Sequence, residues 1–365
     1  MGDSSASLIG RPLAEIAEML QRDYHHLDDI SAGLPAGKLI AALSTDPVLR
    51  AYPSEIRLVR PPAVLRVLRR IRLLYELVIC LWLLGAAGRD TCILLDGRPP
   101  FGKLACILNS FIPFRKRKIV LCPAHIPNAR YIPTEWLKRW LGRRMVLGSS
   151  LTVVFSRRQL DILPRLLKAP ASKFVYMPYE APNSTSPPLT LQIGGYIFSG
   201  GNSRRDYRTL FEAVRDTGIP VIVSATDPKA CAGLDVPENV ILVAAHEPAF
   251  TRLMAASRFV VVPIMPGLVR GAGEATVCGA MWQSRAVICA DDISIFEYID
   301  EGVTGFVTPP GDAVRLREQI VELWTHPTRA AEMGRAAFEV VSADRTDRHY
   351  CRRLRALGIL VAMAK

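Results

Sequence analysis

The chain has 365 residues, half of them hydrophobic, with a formal net charge of +12 and eight cysteines. That length leaves room for two domains of ordinary size, each able to bury a core, and excludes a small disulfide-stapled fold. The cysteines lack paired spacing and lie mostly in apolar runs, so they read as core residues in a reducing compartment, not as disulfides or a metal site.

Residues 51–170 carry 22 basic and 6 acidic side chains, while residues 1–50 carry 4 and 7, and residues 171–365 carry 20 and 21. The excess is confined to the first half. It predicts an anionic partner there: a membrane surface, a nucleic acid or a polyanionic substrate. No N-terminal basic–apolar–cleavage pattern is evident, which predicts a cytoplasmic location.

Residues 1–54 are weakly patterned. Leu13, Ile16, Ala17 and Leu20 allow one amphipathic helix. His25-His26 beside Asp28-Asp29 is not read as a metal site, because adjacent residues of a helix do not face one way. Residues 60–88 run from a basic half (Arg66, Arg69, Arg70, Arg72) into an apolar half of about 15 residues, shorter than the roughly 20 a spanning helix needs. Two readings fit: a helix at a bilayer surface, or a core helix with solvated arginines.

Cys92–Leu95 predicts a buried strand. The cations Arg115, Lys116, Arg117 and Lys118 lie before the strand 119–122, beside Phe111, Ile112 and Phe114. They fit a solvated loop or an anionic-lipid contact. The helix 134–146 sets Trp136 and Trp140 among Lys138, Arg139, Arg143 and Arg144, a second basic and aromatic surface. Further strands are expected at 151–155 and 174–177. Such βα repeats build an open parallel sheet. Residues 181–192 form the one Pro/Ser/Thr/Asn cluster in the middle of the chain and read as an interdomain linker.

Two strand–glycine loop–helix units follow. In the first, Tyr196–Phe198 leads into Ser199, Gly200, Gly201 and Asn202, then Arg204, Arg205 and a helix carrying Tyr207, Leu210, Phe211 and Val214. In the second, 259–264 is a β-branched strand, 266–273 a glycine-rich loop and 274–282 a helix. Glycine turns that open helices let backbone N–H groups approach an anion, and the two loops are expected to meet at the C-terminal edge of one sheet.

From Tyr196 onward the ordered set SGGN, Arg205, Glu212-Ala213, Ala280-Met281, Ala286-Val287-Ile288, Glu297, Gly302, Gly305 and Pro310-Gly311-Asp312 resembles the GT-B glycosyltransferases of the retaining family 4 type. The resemblance covers roughly residues 90–340. It implies an α/β chain with two Rossmann-like domains whose parallel sheets face across a cleft. The expected bounds are 1–182 for an acceptor-side domain, 183–192 for the linker, 193–343 for a nucleotide-sugar domain and 344–365 for a helix that crosses back. It implies a metal-independent hexosyltransferase of polysaccharide biosynthesis with no cofactor, using a nucleoside diphosphate sugar and a glycan or lipid-linked acceptor.

On this resemblance, Gly200, Gly201, Asn202, Arg204, Arg205, Gly273, Glu274, Ala275 and Thr276 bind the donor phosphates, with Arg205 in the place of the family's phosphate-binding lysine. The family's companion arginine falls at Gly200, and Arg204 or Arg270 is the substitute. The family's two glutamates fall at Gly271 and Gly279, so Glu274 is the candidate catalytic carboxylate; a helix N-terminal carboxylate stabilised by the dipole is the competing reading. His125, in a loop after a strand, is the candidate acceptor-side residue; a structural histidine is the competing reading. The basic groups Arg66, Arg69, Arg70 and Arg115–Lys118, with Trp136 and Trp140, are expected to face an anionic membrane from the inner side. The alternatives are a non-catalytic glycosyltransferase-like subunit and a soluble transferase with a small acceptor. Nucleic-acid binding explains the charge but not the paired phosphate loops.

Overall fold

A computed structural model describes residues 8–33, 40–43, 57–58, 72–86, 88, 91–96, 100–112, 116–122, 134–267, 271–290 and 294–364. The chain divides into two compact units, Met1–Pro178 with His349–Lys365, and Tyr179–Arg348.

Among the described residues the first unit holds six strands: β1 (Ile40–Leu43), β2 (Arg57–Leu58), β3 (Cys92–Asp96), β4 (Lys118–Cys122), β5 (Leu151–Val154) and β6 (Phe174–Tyr176). All pair in parallel, in the order β2-β1-β3-β4-β5-β6. β3 to β6 are short, mostly apolar runs with no polar alternation, as strands covered on both faces must be. The helices Pro100–Ser110 and Glu135–Gly148 make the crossovers from β3 to β4 and from β4 to β5, and they pack on each other. Ile93, Leu95, Ile119, Leu121, Val146 and Leu163 sit in the core. Burying each such side chain contributes about 1.5–3 kcal/mol.

The last helix spans Asp347–Met363, and from His349 it belongs to the first unit. Its end is capped from the sheet: Lys118 Nζ donates to the carbonyls of Ala362 (2.7 Å) and Ala364 (2.9 Å), which lie where a helix end leaves carbonyls without intrahelical partners. Arg353, 2 % exposed, donates to Asp28 through Nε (2.8 Å to Oδ1) and Nη2 (2.6 Å to Oδ2), with its guanidinium 4.8 Å from the Tyr24 ring centroid.

The second unit holds β7 (Ile197–Gly200), β8 (Val221–Ser224), β9 (Val240–Val243), β10 (Val260–Val262), β11 (Val287–Ala290) and β12 (Gly305–Thr308), again all parallel. The order is β12-β11-β10-β7-β8-β9. The chain therefore winds outward from β7 through β8 and β9, then returns to start the other half at β10. β7 and β10 are neighbours at the switch point, where open α/β sheets bind ligands beyond their strand ends. The helices Tyr207–Val214 and Ala313–Thr325 cover one face; Glu274–Trp282 and Pro327–Asp344 cover the other.

Residues 183–192, expected as a linker, lie inside the second unit, whose boundary falls at Tyr179. Trp282 Nε1 donates to the Ser186 carbonyl (3.2 Å), and the Leu189 N–H donates to Gln283 Oε1 (2.8 Å). These long-range bonds tie the segment down despite its polar composition. Among the described residues no helix is long and apolar enough to cross a membrane.

Candidate functional site

The two glycine loops meet. β7 ends at Gly200, and Gly201 turns the chain with φ +116°, a region that side-chain-bearing residues avoid. A Cβ there would also lie 2.8 Å from Arg205 Nη2. The chain then runs antiparallel to the segment after β10. The Asp206 N–H donates to the Pro263 carbonyl and the Met265 N–H to the Arg204 carbonyl, both at 3.0 Å, and Arg205 pairs with Ile264. The expected meeting of the loops is thus a direct backbone pairing at the switch point. The helix Glu274–Trp282 opens at Gly273, φ +101°, where a Cβ would press on Val262 and Ile264 at 3.1 Å.

Arg205 is the brace of this arrangement. The residue is 6 % exposed, and its guanidinium donates to three acceptors at 2.9 Å: Nε to the Gly200 carbonyl, Nη1 to the Ser203 carbonyl and Nη2 to Thr276 Oγ1. One planar fork thereby joins the end of β7, its turn and the first turn of the next half's helix. Its Nη1 lies 3.8 Å from where a Gly273 Cβ would be, so its positive charge sits behind both glycine loops. Tyr207 supports the same turn, donating its hydroxyl to the Gly201 carbonyl at 2.6 Å; burial pushes its phenol up, against the lowering effect of the Arg205 charge. Asn202 links the turn to the loop after β8, with Nδ2 2.6 Å from Thr226 Oγ1 and Oδ1 accepting from the Asp227 N–H at 3.0 Å. Arg204 is exposed, with φ +58°.

Glu274 is 7 % exposed and accepts a hydrogen bond from Ser294 Oγ at 2.8 Å. A Cβ built on Gly271 would collide with Glu274 Oε1. The carboxylate therefore lies over the bare α-carbon of residue 271, where the resembled family carries its own glutamate. The carboxylate reaches that place from three residues further on, and glycine at 271 is what makes room. At Gly279 the surroundings are apolar, with Met254 Sδ and Pro182 Cδ each 3.8 Å from a Cβ, so the second glutamate has no counterpart there. Ala275 and Thr276 complete the first turn of the helix, whose N-terminal end carries partial positive charge.

Three side chains of this site were missed in the sequence: Ser294, Tyr207 as a hydroxyl donor, and Thr226. Only Tyr207 gave a signal, as part of an apolar helical face.

His125, Arg66, Arg69, Arg70, Arg115 and Arg270 lie outside the described residues. Lys116 is exposed. Arg117 and Lys118 do not belong to an outward loop: Arg117 Nε donates to the Leu84 carbonyl at 2.7 Å, and Lys118 starts β4 with its ammonium on the last helix. Strand pairing from residue 118 turns both cations inward. Trp136 and Trp140 are 67 % and 40 % exposed, and the Arg144 guanidinium stands 4.6 Å from the Phe111 ring centroid and 5.6 Å from that of Trp140.

No family profile matches the chain by sequence, and no curated protein matches it. Solved structures do. The Anabaena protein HepE in complex with UDP and glucose superposes with a TM-score of 0.62 at 13 % identity, covering 93 % of each chain. Sucrose-phosphate synthase from Thermosynechococcus elongatus gives 0.55 at 15 % identity over 71 % of each chain. TarM gives 0.55 at 13 % identity over 72 % of this chain, which spans about half (53 %) of TarM's length. With these neighbours and its two parallel-sheet units, the chain has the GT-B fold.

Proposed function

We propose that the chain is a glycosyltransferase that moves a sugar from a nucleoside diphosphate donor to a glycan or lipid-linked acceptor at an anionic membrane surface. The observation that carries this reading is the fusion of two glycine loops at the switch point, with the Arg205 charge behind them and the N-terminus of the helix 274–282 beside them. In such a transfer the bond from the anomeric carbon to the diphosphate breaks, a bond to an acceptor hydroxyl oxygen forms, and that hydroxyl's proton passes to the departing diphosphate. The electron pair leaves on the diphosphate, so cations and oriented N–H dipoles stabilise its departure. Arg204 at the exposed rim adds a second charge. Glu274, held by Ser294, accepts hydrogen bonds from hydroxyls of the transferred sugar. HepE has been seen with UDP-glucose, which makes uridine nucleotides the first donors to test.

The membrane part of the reading rests on the cationic surplus of residues 51–170 and on Leu74, Leu77 and Leu81, three exposed leucines of the helix Arg72–Ala86. The absence of glutamate at 271 and 279 favours a second reading, a non-catalytic subunit. A thermal-shift panel of UDP-, GDP- and dTDP-sugars separates them. A nucleotide at a hundred times its Kd stabilises the chain by about 2.7 kcal/mol. A rise in Tm with one nucleotide class is expected. No shift at millimolar concentration assigns the chain to the subunit reading.

A further inference from the structure

A groove of about 460 Å³ lies on the first unit, well apart in sequence from the glycine loops, between the exposed half of the helix Glu135–Gly148 and the end of the helix Arg157–Leu167. Trp136 and Trp140, one helical turn apart, line it together with Arg139, Arg143, Arg165 and Lys168. All four cations are exposed, and none of their side chains makes a hydrogen bond or an ion pair among the described residues. The one acidic group in the lining, Glu135, is already held by Lys138 at 2.7 Å. The groove is therefore a concave surface with a surplus of positive charge, four cations against the one carboxylate of Glu135, and two partly exposed indoles, Trp140 resting against Phe111 and Arg144, in the size range of small-ligand sites.

We infer that this groove binds an anionic saccharide, the sugar rings stacking on Trp136 and Trp140 and the acidic substituents pairing with Arg139, Arg143, Arg165 and Lys168. Indoles are large amphipathic surfaces, and guanidinium forks match carboxylate, sulfate and phosphate groups. A flat bilayer fits less well, because the tryptophans and cations line a concave groove. A single-stranded oligonucleotide is the other stacking polyanion. The choice of saccharide over it rests on the sugar-transfer reading, under which the groove holds a part of a charged acceptor away from the reacting end.

The test is calorimetric titration of the full chain, without nucleotide, with oligogalacturonate, dextran sulfate, neutral maltohexaose, a deoxythymidine decamer and phosphatidylglycerol vesicles. Binding of at least one anionic saccharide and not of maltohexaose is expected. Trp136→Ala and Trp140→Ala should each weaken it about tenfold, and Arg139→Gln with Arg143→Gln should weaken it further and flatten its salt dependence. The Tm shift with donor nucleotide should be unchanged in all of these variants, so failure of the groove and failure of the donor site read separately. No binding of either anionic saccharide overturns the inference. So does saccharide binding that ignores the tryptophan substitutions, or a decamer or vesicle that binds through these residues when the saccharides do not.

Discussion

At the scale of single residues, the proposed donor site rests on Arg205 and Glu274. Arg205 makes three bonds in three directions from one planar group. A lysine offers one ammonium and cannot span the Gly200 carbonyl, the Ser203 carbonyl and Thr276 Oγ1 together. Charge-assisted contacts of this kind are worth roughly 1.5–3 kcal/mol. Arg205→Ala should weaken UDP binding about tenfold to a hundredfold, and Arg205→Lys should recover little of it, as read by calorimetry. Wild-type affinity in the lysine variant would show that the brace is dispensable. For Glu274 the sharper probe is the neighbour: Gly271→Ala adds a Cβ where the carboxylate lies. It should lower turnover sharply while leaving UDP affinity within about threefold, since the phosphate contacts remain; equal losses of both would place the carboxylate at the phosphates. The sequence marked Arg205 as a cation after a glycine turn but not as a buried brace. Its partner Thr276 is 71 positions away, and local pattern says nothing of such a contact.

At the scale of elements, the parallel sheets were legible because strands buried on both faces read as short aliphatic runs, as β3, β4, β10 and β11 do. Residues 183–192 were read as a linker from Pro, Ser and Thr content, which does not reveal that Trp282 and Gln283 bind their backbone. The last helix is tied down by a charge pair that sequence distance hides equally well, buried Arg353 with half-buried Asp28. Arg353→Ala removes the stronger of Asp28's two partners, leaving it His25 Nδ1 at 3.3 Å and its partial exposure to water, and loss of charge-assisted bonds of this kind costs roughly 1.5–3 kcal/mol. Urea unfolding should show a drop of that order; a change below about 0.5 kcal/mol would mean that the helix is held by its apolar side alone. The cysteines give a further check on packing. Burial pushes Cys80, Cys92 and Cys278 up to about 12, and Cys231 alone among the eight is not buried. A raised thiol pKa adds stability that is fully present below the ordinary value near 9 and is lost as pH rises from 9 towards 12. Aromatic disulfide labelling at pH 8 should therefore modify Cys231 first and the other seven only on unfolding; rapid labelling of Cys80 or Cys92 in the native protein would contradict the first unit's core.

At the scale of the whole molecule, the surplus of cations between residues 51 and 170 is the property most plainly legible in the sequence, and its destination the least. Arg117 and Lys118 are consumed by internal carbonyls, while Arg139, Arg143, Arg165 and Lys168 remain around the groove. If the exposed leucines of the helix Arg72–Ala86 rest on a bilayer to which the cationic surplus of residues 51–170 draws the protein, it should sediment with phosphatidylglycerol vesicles at low salt. It should come off as the Debye length shrinks from about 10 Å at 0.1 M to about 3 Å at 1 M. Equal sedimentation with neutral vesicles, or none with either, would remove the electrostatic attraction. The donor site is tested most directly by hydrogen–deuterium exchange of the full chain with and without UDP. Slower exchange in the peptides covering residues 200–206 and 271–277, with residues 135–143 unchanged, is the predicted result. Protection elsewhere with none in those two loops, under conditions where UDP is bound, would contradict the assignment of the paired glycine loops as the nucleotide site.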